Sequence, residues 1–128
     1  MKKIIFLLGF SFCLFGCTAT QEKSKESATL SFDKEANGEW EIVVLDPQYT
    51  SFLTTQQPKE YFSEQMLKTK NIFYVAEWNS RNAQPFAYDP SVYEMKIEYD
   101  PDENYGLEFE YRLYMFFRFV EKKYKVRF

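Results

Sequence analysis

Tyr105-Gly-Leu-Glu-Phe-Glu-Tyr-Arg-Leu-Tyr-Met-Phe-Phe-Arg-Phe119 is the stretch whose reading decides the fold of this 128-residue chain. Every odd position in it is apolar or aromatic, while the even positions include Gly106, Glu108, Glu110, Arg112 and Arg118. A two-residue repeat of this kind sets one continuous apolar face against a largely charged one on an extended backbone. The stretch therefore reads as a core strand over residues 107–119. A helix would gather Phe109, Leu113, Phe116, Phe117, Val120 and Tyr124 on one face, but leave Tyr111, Tyr114, Met115 and Phe119 among the charges. At roughly 1.5–3 kcal/mol per large apolar side chain, exposing four of them forfeits several kcal/mol, so the strand is preferred. Beyond Glu121 the apolar residues move to even positions, Tyr124, Val126 and Phe128, which predicts a bulge or break there.

Immediately upstream, Tyr93, Met95, Ile97 and Tyr99 alternate with Glu94, Lys96, Glu98 and Asp100, the pattern of a half-exposed strand over 92–99. Asp100-Pro-Asp-Glu-Asn-Tyr-Gly106 is turn chemistry, so the two strands are expected to form an antiparallel hairpin. Further back, Glu39 to Asp46 predicts a third strand over 40–46. Asp46-Pro47 ends it and can cap a short helix, with Pro47 at a position where its missing N–H costs nothing. Pro58 opens a longer helical stretch over 59–81. Tyr61, Phe62, Met66, Ile72, Phe73 and Ala76 share one wide face of it, and Leu67, Tyr74 and Trp78 form a smaller second stripe. The expected fold class is α+β, with a small antiparallel sheet from 40–46, 92–99 and 107–119 and one main helix packed on it by its wider face.

The amino-terminal segment has a different logic. Met1-Lys2-Lys3 is a positive n-region and Ile4 to Phe15 an apolar run too short to span a bilayer comfortably, as in a cleavable signal peptide. It ends in Leu14-Phe15-Gly16-Cys17, which resembles the lipobox of bacterial lipoproteins, apart from Phe15, where a small or aliphatic residue is usual. The resemblance implies a lipidated Cys17, with cleavage before it and acylation of the new amino terminus. Cys13 would leave with the signal, so Cys17 would have no disulfide partner. Residues 1–16 are thus expected to be a lipoprotein signal peptide, 17–38 a flexible tether and 39–128 a single domain. Within the tether, Leu30 and Phe32 could add a short edge strand. Asn37-Gly38 marks a turn.

The balance of 16 basic against 19 acidic residues, without a long basic run, argues against a nucleic-acid partner. Histidine is absent, which removes histidine-based triads, histidine general bases and histidine metal ligands. The sole basic cluster, Lys122-Lys123-Tyr124-Lys125-Val126-Arg127, reads as a solvated element end, or as a patch for anionic lipid headgroups. Asp100, Asp102 and Asn104 begin like a calcium loop. Tyr105 then stands where that loop needs glycine and Tyr111 where it needs glutamate, so no metal site is predicted.

Two constellations could carry chemistry. Glu108 and Glu110 on one strand face would lie about 7 Å apart, a separation that inverting glycosidases use, although cross-strand ion pairs explain it more simply. Glu77, Trp78, Asn79 and Arg81 form the candidate binding cluster. Their structural reading is a helix end bonding to loop carbonyls, and their functional reading a polar pocket floored by Trp78 in which Arg81 receives an anion or a sugar hydroxyl. No catalytic set and no cofactor site can be assembled from the sequence.

Asp46-Pro47, Tyr74-Val75-Ala76-Glu77-Trp78-Asn79 with Arg81, Tyr99-Asp100-Pro101 and Tyr105-Gly106-Leu107-Glu108 resemble a family of small, functionally uncharacterised lipoproteins of Bacteroidota-type bacteria. The resemblance spans about residues 40–124. It implies an envelope lipoprotein and transfers no catalytic residue. The sequence thus leads to a lipid-anchored envelope protein, expected at the outer membrane and non-catalytic, that meets an envelope protein or glycan. The alternatives are a glycan- or peptide-binding module that uses exposed rings and Arg81, and, behind it, a carboxylate-based hydrolase.

Overall fold

The computed structural model describes residues 30–128. Cys17, the expected signal peptide and most of the expected tether lie outside the described residues. The first strand, β1 (Leu30–Lys34), pairs antiparallel with β2 (Trp40–Val44) in a two-stranded sheet, Leu30 opposite Val44 and Lys34 opposite Trp40. β1 lies inside the segment expected to be a tether, at the edge strand that Leu30 and Phe32 suggest. Gly38, at φ +85°, closes the turn between the strands, its N–H donating to the Glu35 carbonyl at 2.9 Å. Left-handed backbone of this kind suits glycine.

Asp46 then caps α1 (Pro47–Leu53) as its sequence predicts, accepting from the Gln48 N–H at 2.9 Å with Pro47 at the helix start. A 3-10 turn over Lys59–Tyr61 leads into α2 (Glu64–Asn82), whose Ser63 cap accepts from the Met66 N–H at 3.2 Å. The last element is α3 (Leu107–Tyr124). Two paired strands and three helices make an α+β fold.

Two expected strands are corrected. Residues 107–119 are not a strand but most of α3, which is the centre of the molecule. The cost assigned to its helical form is not incurred, because neighbours cover the four side chains that a one-sided helix would expose. Tyr111 packs on Phe62 and donates to the Gln57 carbonyl at 2.7 Å. Tyr114 stacks on Tyr74, and Phe119 lies against Tyr49 and Phe52 of α1. Met115 is buried as well. A helix enclosed on most of its circumference carries apolar residues nearly all round, and its period is hard to distinguish from alternation.

Residues 92–99 form no strand either. The alternation holds in part: Tyr93 and Ile97 are buried and Glu94, Lys96 and Glu98 exposed, but Met95, expected inward, is 41% exposed. Alternate backbone groups are satisfied by side chains of α2, where a neighbouring strand would otherwise supply a ladder. Asn82 donates to the Tyr93 carbonyl at 2.7 Å and Trp78 to the Met95 carbonyl at 2.7 Å. Asn79 donates to the Ile97 carbonyl at 2.9 Å and accepts from the Ile97 N–H at 2.8 Å. Buried backbone groups need partners, and amide and indole side chains serve as well as a strand.

The helical stretch expected over 59–81 divides into the 3-10 turn and α2, which is one of two long helices, and α2 faces the other way from the expectation. Its inward residues are Leu67, Asn71, Val75 and Trp78, largely the smaller of the two predicted stripes. Tyr61, Met66, Ile72, Phe73 and Ala76 of the wider face point to solvent, with Phe73 69% exposed, and only Phe62 packs inward. The reason lies across the interface. Asn71 donates from Nδ2 to both the backbone carbonyl and Oε2 of Glu110 at 2.8 Å, tying this side of α2 to the central helix.

Candidate functional site

The sequence brings Glu77, Trp78, Asn79 and Arg81 together on the last turns of α2, and each has a definite partner. Trp78 is 2% exposed, wedged between Tyr93 and Phe116. It is part of the core and floors no open pocket. Asn79 clamps Ile97 by the paired bonds given above. Arg81 donates from Nε to Glu77 Oε1 at 2.7 Å, from Nη1 to the Tyr93 hydroxyl at 2.8 Å, and from Nη2 to the Arg127 carbonyl. Its guanidinium also lies over the rings of Tyr88, Tyr93 and Phe128. Burial pulls the Arg81 pKa down, but the bonds it donates to Tyr93 and Glu77 outweigh it, so the group is held above its ordinary value. The cluster thus fastens the 93–97 segment and the carboxy-terminal residues to α2. Tyr88, half-exposed beside Arg81, is its main solvent-facing ring.

Glu108 and Glu110 are separated by the helix that carries them. Successive residues are 100° apart, so residues two positions apart point to nearly opposite sides. Glu108 is exposed and salt-bridged to Lys59 and to Arg112, the latter at 2.6 Å. The Lys59 bond, with help from Arg112, lowers its pKa below the ordinary carboxylate value despite some burial. Glu110 is 1% exposed and faces α2, accepting from Asn71 and from the Tyr99 hydroxyl at 3.0 and 3.2 Å. Burial raises its pKa, and the Asn71 and Tyr99 bonds only partly offset this. Burial likewise raises the Tyr99 hydroxyl pKa, with the Glu110 charge adding to it. The paired-carboxylate geometry that a strand would have supplied is absent.

Open grooves flank the core, and a pair of them are lined by aromatic rings. One, of about 350 Å³, lies between β1 and the 95–98 segment, with Phe32, Trp40 and Tyr105 among its walls. The other, of about 430 Å³, lies between α1 and the end of α3, with Phe52 and Phe119 at its base and Lys122, Lys123 and Lys125 around it. Lys123 is engaged by the buried Asp46 carboxylate, and Lys122 lies over the Phe52 ring. The basic tail is therefore partly structural. Among the described residues, no three His, Cys, Asp or Glu side chains are grouped to hold a metal ion. No helix among them is long and apolar enough to cross a membrane.

The sequence reading missed the outer side of α2 as a surface. Met66, Thr69, Phe73, Ala76 and Ser80, with the cap residue Ala83, recur at alternating three- and four-residue steps, and all are exposed. None is charged, in a chain that is 27% charged. Met66, Phe73 and Ala76 belong to the wide face that the sequence predicts; Thr69, Ser80 and Ala83 do not. The signal that this face is external is polar: Asn71, on the opposite side, requires a buried partner, and Glu110 supplies it only when 107–119 is a helix.

Comparison with curated proteins and with solved structures gave no match. A family profile matches residues 5–128, nearly the whole chain, and the protein accordingly belongs to the family of unknown function DUF6146.

Proposed function

We propose that this protein is a lipid-anchored component of a bacterial cell envelope, held through acylated Cys17, that acts by contact with other proteins and performs no catalysis. The observation that carries this reading is the outer side of α2. A ring as large as Phe73, opposite the buried side of its helix, together with Met66 and Ile72 and no interleaved charge, is the kind of surface that marks contact sites. The anchor rests on Leu14-Phe15-Gly16-Cys17. Acyl chains contribute about 0.8 kcal/mol per buried methylene, so more than one chain would hold the protein firmly at a membrane. The glycan-binding alternative has less support, since Arg81 already donates to three partners and Trp78 is enclosed.

Both parts can be tested in cells. A labelled palmitate analogue should mark the wild type and not Cys17→Ala, and equal labelling of the two would remove the anchor. Cross-linking in intact envelopes should enrich a defined set of proteins with the wild type and lose them with Phe73→Asp. An unchanged set would remove the α2 surface from the reading.

A further inference from the structure

We infer that the outer face of α2 pairs with the same face of a second copy of this chain, the two helices running antiparallel. The inference rests on the reading of that face as a contact surface and names its partner.

The spacing comes first. Met66, Phe73 and Ser80 are seven residues apart, and so are Thr69, Ala76 and Ala83, the two sets interleaved as the a and d positions of a helix-pairing seam. Side chains in such a seam meet in layers, and in an antiparallel pair each a residue faces a d residue of the other helix. With the twofold axis between residues 74 and 75, Phe73 faces Ala76 of the other copy. Met66 then faces Ala83, and Thr69 faces Ser80. Each bulky side chain meets an alanine and the two small hydroxyl residues meet each other, which lets the helices approach closely without a void. In a parallel pair Phe73 would face Phe73 while Ala76 faced Ala76, an uneven seam.

The flanking charges agree with the same axis. Lys70 and Glu77 occupy the e positions beside the seam, and antiparallel helices bring e against e. Lys70 of each copy is then opposite Glu77 of the other, giving two symmetric ion pairs. Glu77 uses Oε1 for Arg81 at 2.7 Å, which leaves Oε2 to face the lysine, and the Glu77 side chain is 43% exposed. In a parallel pair e lies beside g, so Lys70 and Glu77 would not meet. The face therefore matches itself in spacing, in side-chain size and in charge, as an interface between identical copies with twofold symmetry requires. Ile72 adds apolar area at the opposite margin of the seam.

The test uses the full chain, produced in its host as two differently tagged copies and recovered from envelopes in mild detergent. The wild-type copies should co-purify. Phe73→Asp in both should lower recovery of the second tag about tenfold, as removal of a central anchor does. Lys70→Glu in both should lower it several-fold, because glutamate then faces Glu77, and adding Glu77→Lys should restore most of the loss. Crossed cysteines fix the direction. Lys70→Cys in one copy and Glu77→Cys in the other should give a disulfide-linked pair under mild oxidation, whereas Lys70→Cys in both should not. Far- and near-ultraviolet circular dichroism of each variant, matching the wild type, shows that the exposed substitutions leave the fold intact. Absence of wild-type co-purification overturns self-pairing. So does a charge exchange that fails to restore recovery, or a cross-link between two copies that both carry Lys70→Cys. If self-pairing fails while Phe73→Asp still strips other proteins from the envelope cross-links, the contact-surface reading survives without this partner. If neither result changes with Phe73→Asp, both readings fall.

Discussion

Asn71 and Glu110 join the two long helices at a point sealed from solvent, the amide donating at 2.8 Å to the carboxylate and at 2.8 Å to the backbone carbonyl of the same glutamate. Both residues are buried, at 0% and 1% exposure. Asn71 Oδ1 is left without a hydrogen-bond partner, and the carboxylate accepts from neutral donors, Asn71 and Tyr99. The contact therefore fixes which side of α2 faces inward more effectively than it adds stability. A half-satisfied polar network in the interior is costly, and any slip of α2 against α3 would leave more of its groups unpaired.

The first prediction concerns the protonation of Glu110. Its folded pKa lies above the unfolded value, chiefly through burial. The folded state then holds the proton more tightly than the unfolded one. Stability from this group is full below the ordinary carboxylate pKa and falls as pH rises from there through the raised folded value. Glu110→Gln keeps an oxygen for Asn71 and Tyr99 and removes the charge. Urea unfolding should therefore show its stability relative to the wild type increasing with pH across that window and levelling off above it. A difference independent of pH would show that Glu110 titrates alike in both states.

Glu108, two positions earlier on the same helix, should behave in the opposite sense. Its folded pKa is lowered, first by the bond from Lys59 and then by Arg112. The stability it contributes is present above the unfolded pKa and is lost as pH falls through the lowered folded value. The side chain is 47% exposed, so solvent screens the pair and the contribution stays within about 1 kcal/mol. Glu108→Gln should cost that much or less near neutral pH. The cost should shrink in about 1 M salt, in contrast to the salt-insensitive behaviour expected at Glu110.

Asn79→Ala tests whether α2 stands in for a strand partner of residues 93–97. It removes a donor from the Ile97 carbonyl and an acceptor from the Ile97 N–H together, at a part-buried site. Leaving both backbone groups without partners should cost about 2–4 kcal/mol. The Ile97 amide should lose protection from hydrogen exchange well before amides of α3 do. Asn79→Asp retains the acceptor alone and should recover protection at Ile97 without recovering full stability.

What the sequence conveyed, and what it did not, follows from where each residue's partner sits. The Asp46 cap, the turn at Asn37-Gly38 and the strand over Trp40–Val44, which keeps the class α+β, depend on neighbours within a few residues and are legible. The state of 107–119 depended on whether Tyr111, Tyr114, Met115 and Phe119 would be covered, and the rings over three of them come from Tyr49, Phe52, Phe62 and Tyr74, about 40 to 70 positions away. In 92–99 the alternation predicts the burial of Tyr93 and Ile97 but not the exposure of Met95, and no ladder forms because Trp78, Asn79 and Asn82 bond to backbone in a way no local pattern announces. The bonds of Trp78 and Asn79 explain why Glu77, Trp78, Asn79 and Arg81 look like a binding cluster: polar residues and a tryptophan gathered at a helix end serve an internal ligand, the chain's own backbone, as readily as an external one.

One local signal did mark the start of α3, and it yields the last prediction. Gly106, immediately before Leu107, has φ +90° and ψ 162°. This region of backbone space is essentially confined to glycine and costs other residues about 1–3 kcal/mol. A Cβ at this position would meet nothing within 4 Å, so crowding adds nothing to the penalty. The Gly106 carbonyl accepts the Glu110 N–H at 3.1 Å, opening the hydrogen bonding of the helix as the chain turns into it from the Asp100–Tyr105 loop. Gly106→Ala should therefore destabilise the fold by about 1–3 kcal/mol through the backbone alone. Gly106→Asn should lose nearly as much, since asparagine tolerates the left-handed helical region but not the extended ψ found here. Had 107–119 been a strand with Gly106 at its first extended position, φ would be negative and alanine would cost little. Chemical denaturation of Gly106→Ala thus separates the central helix from the strand that its alternating sequence resembles.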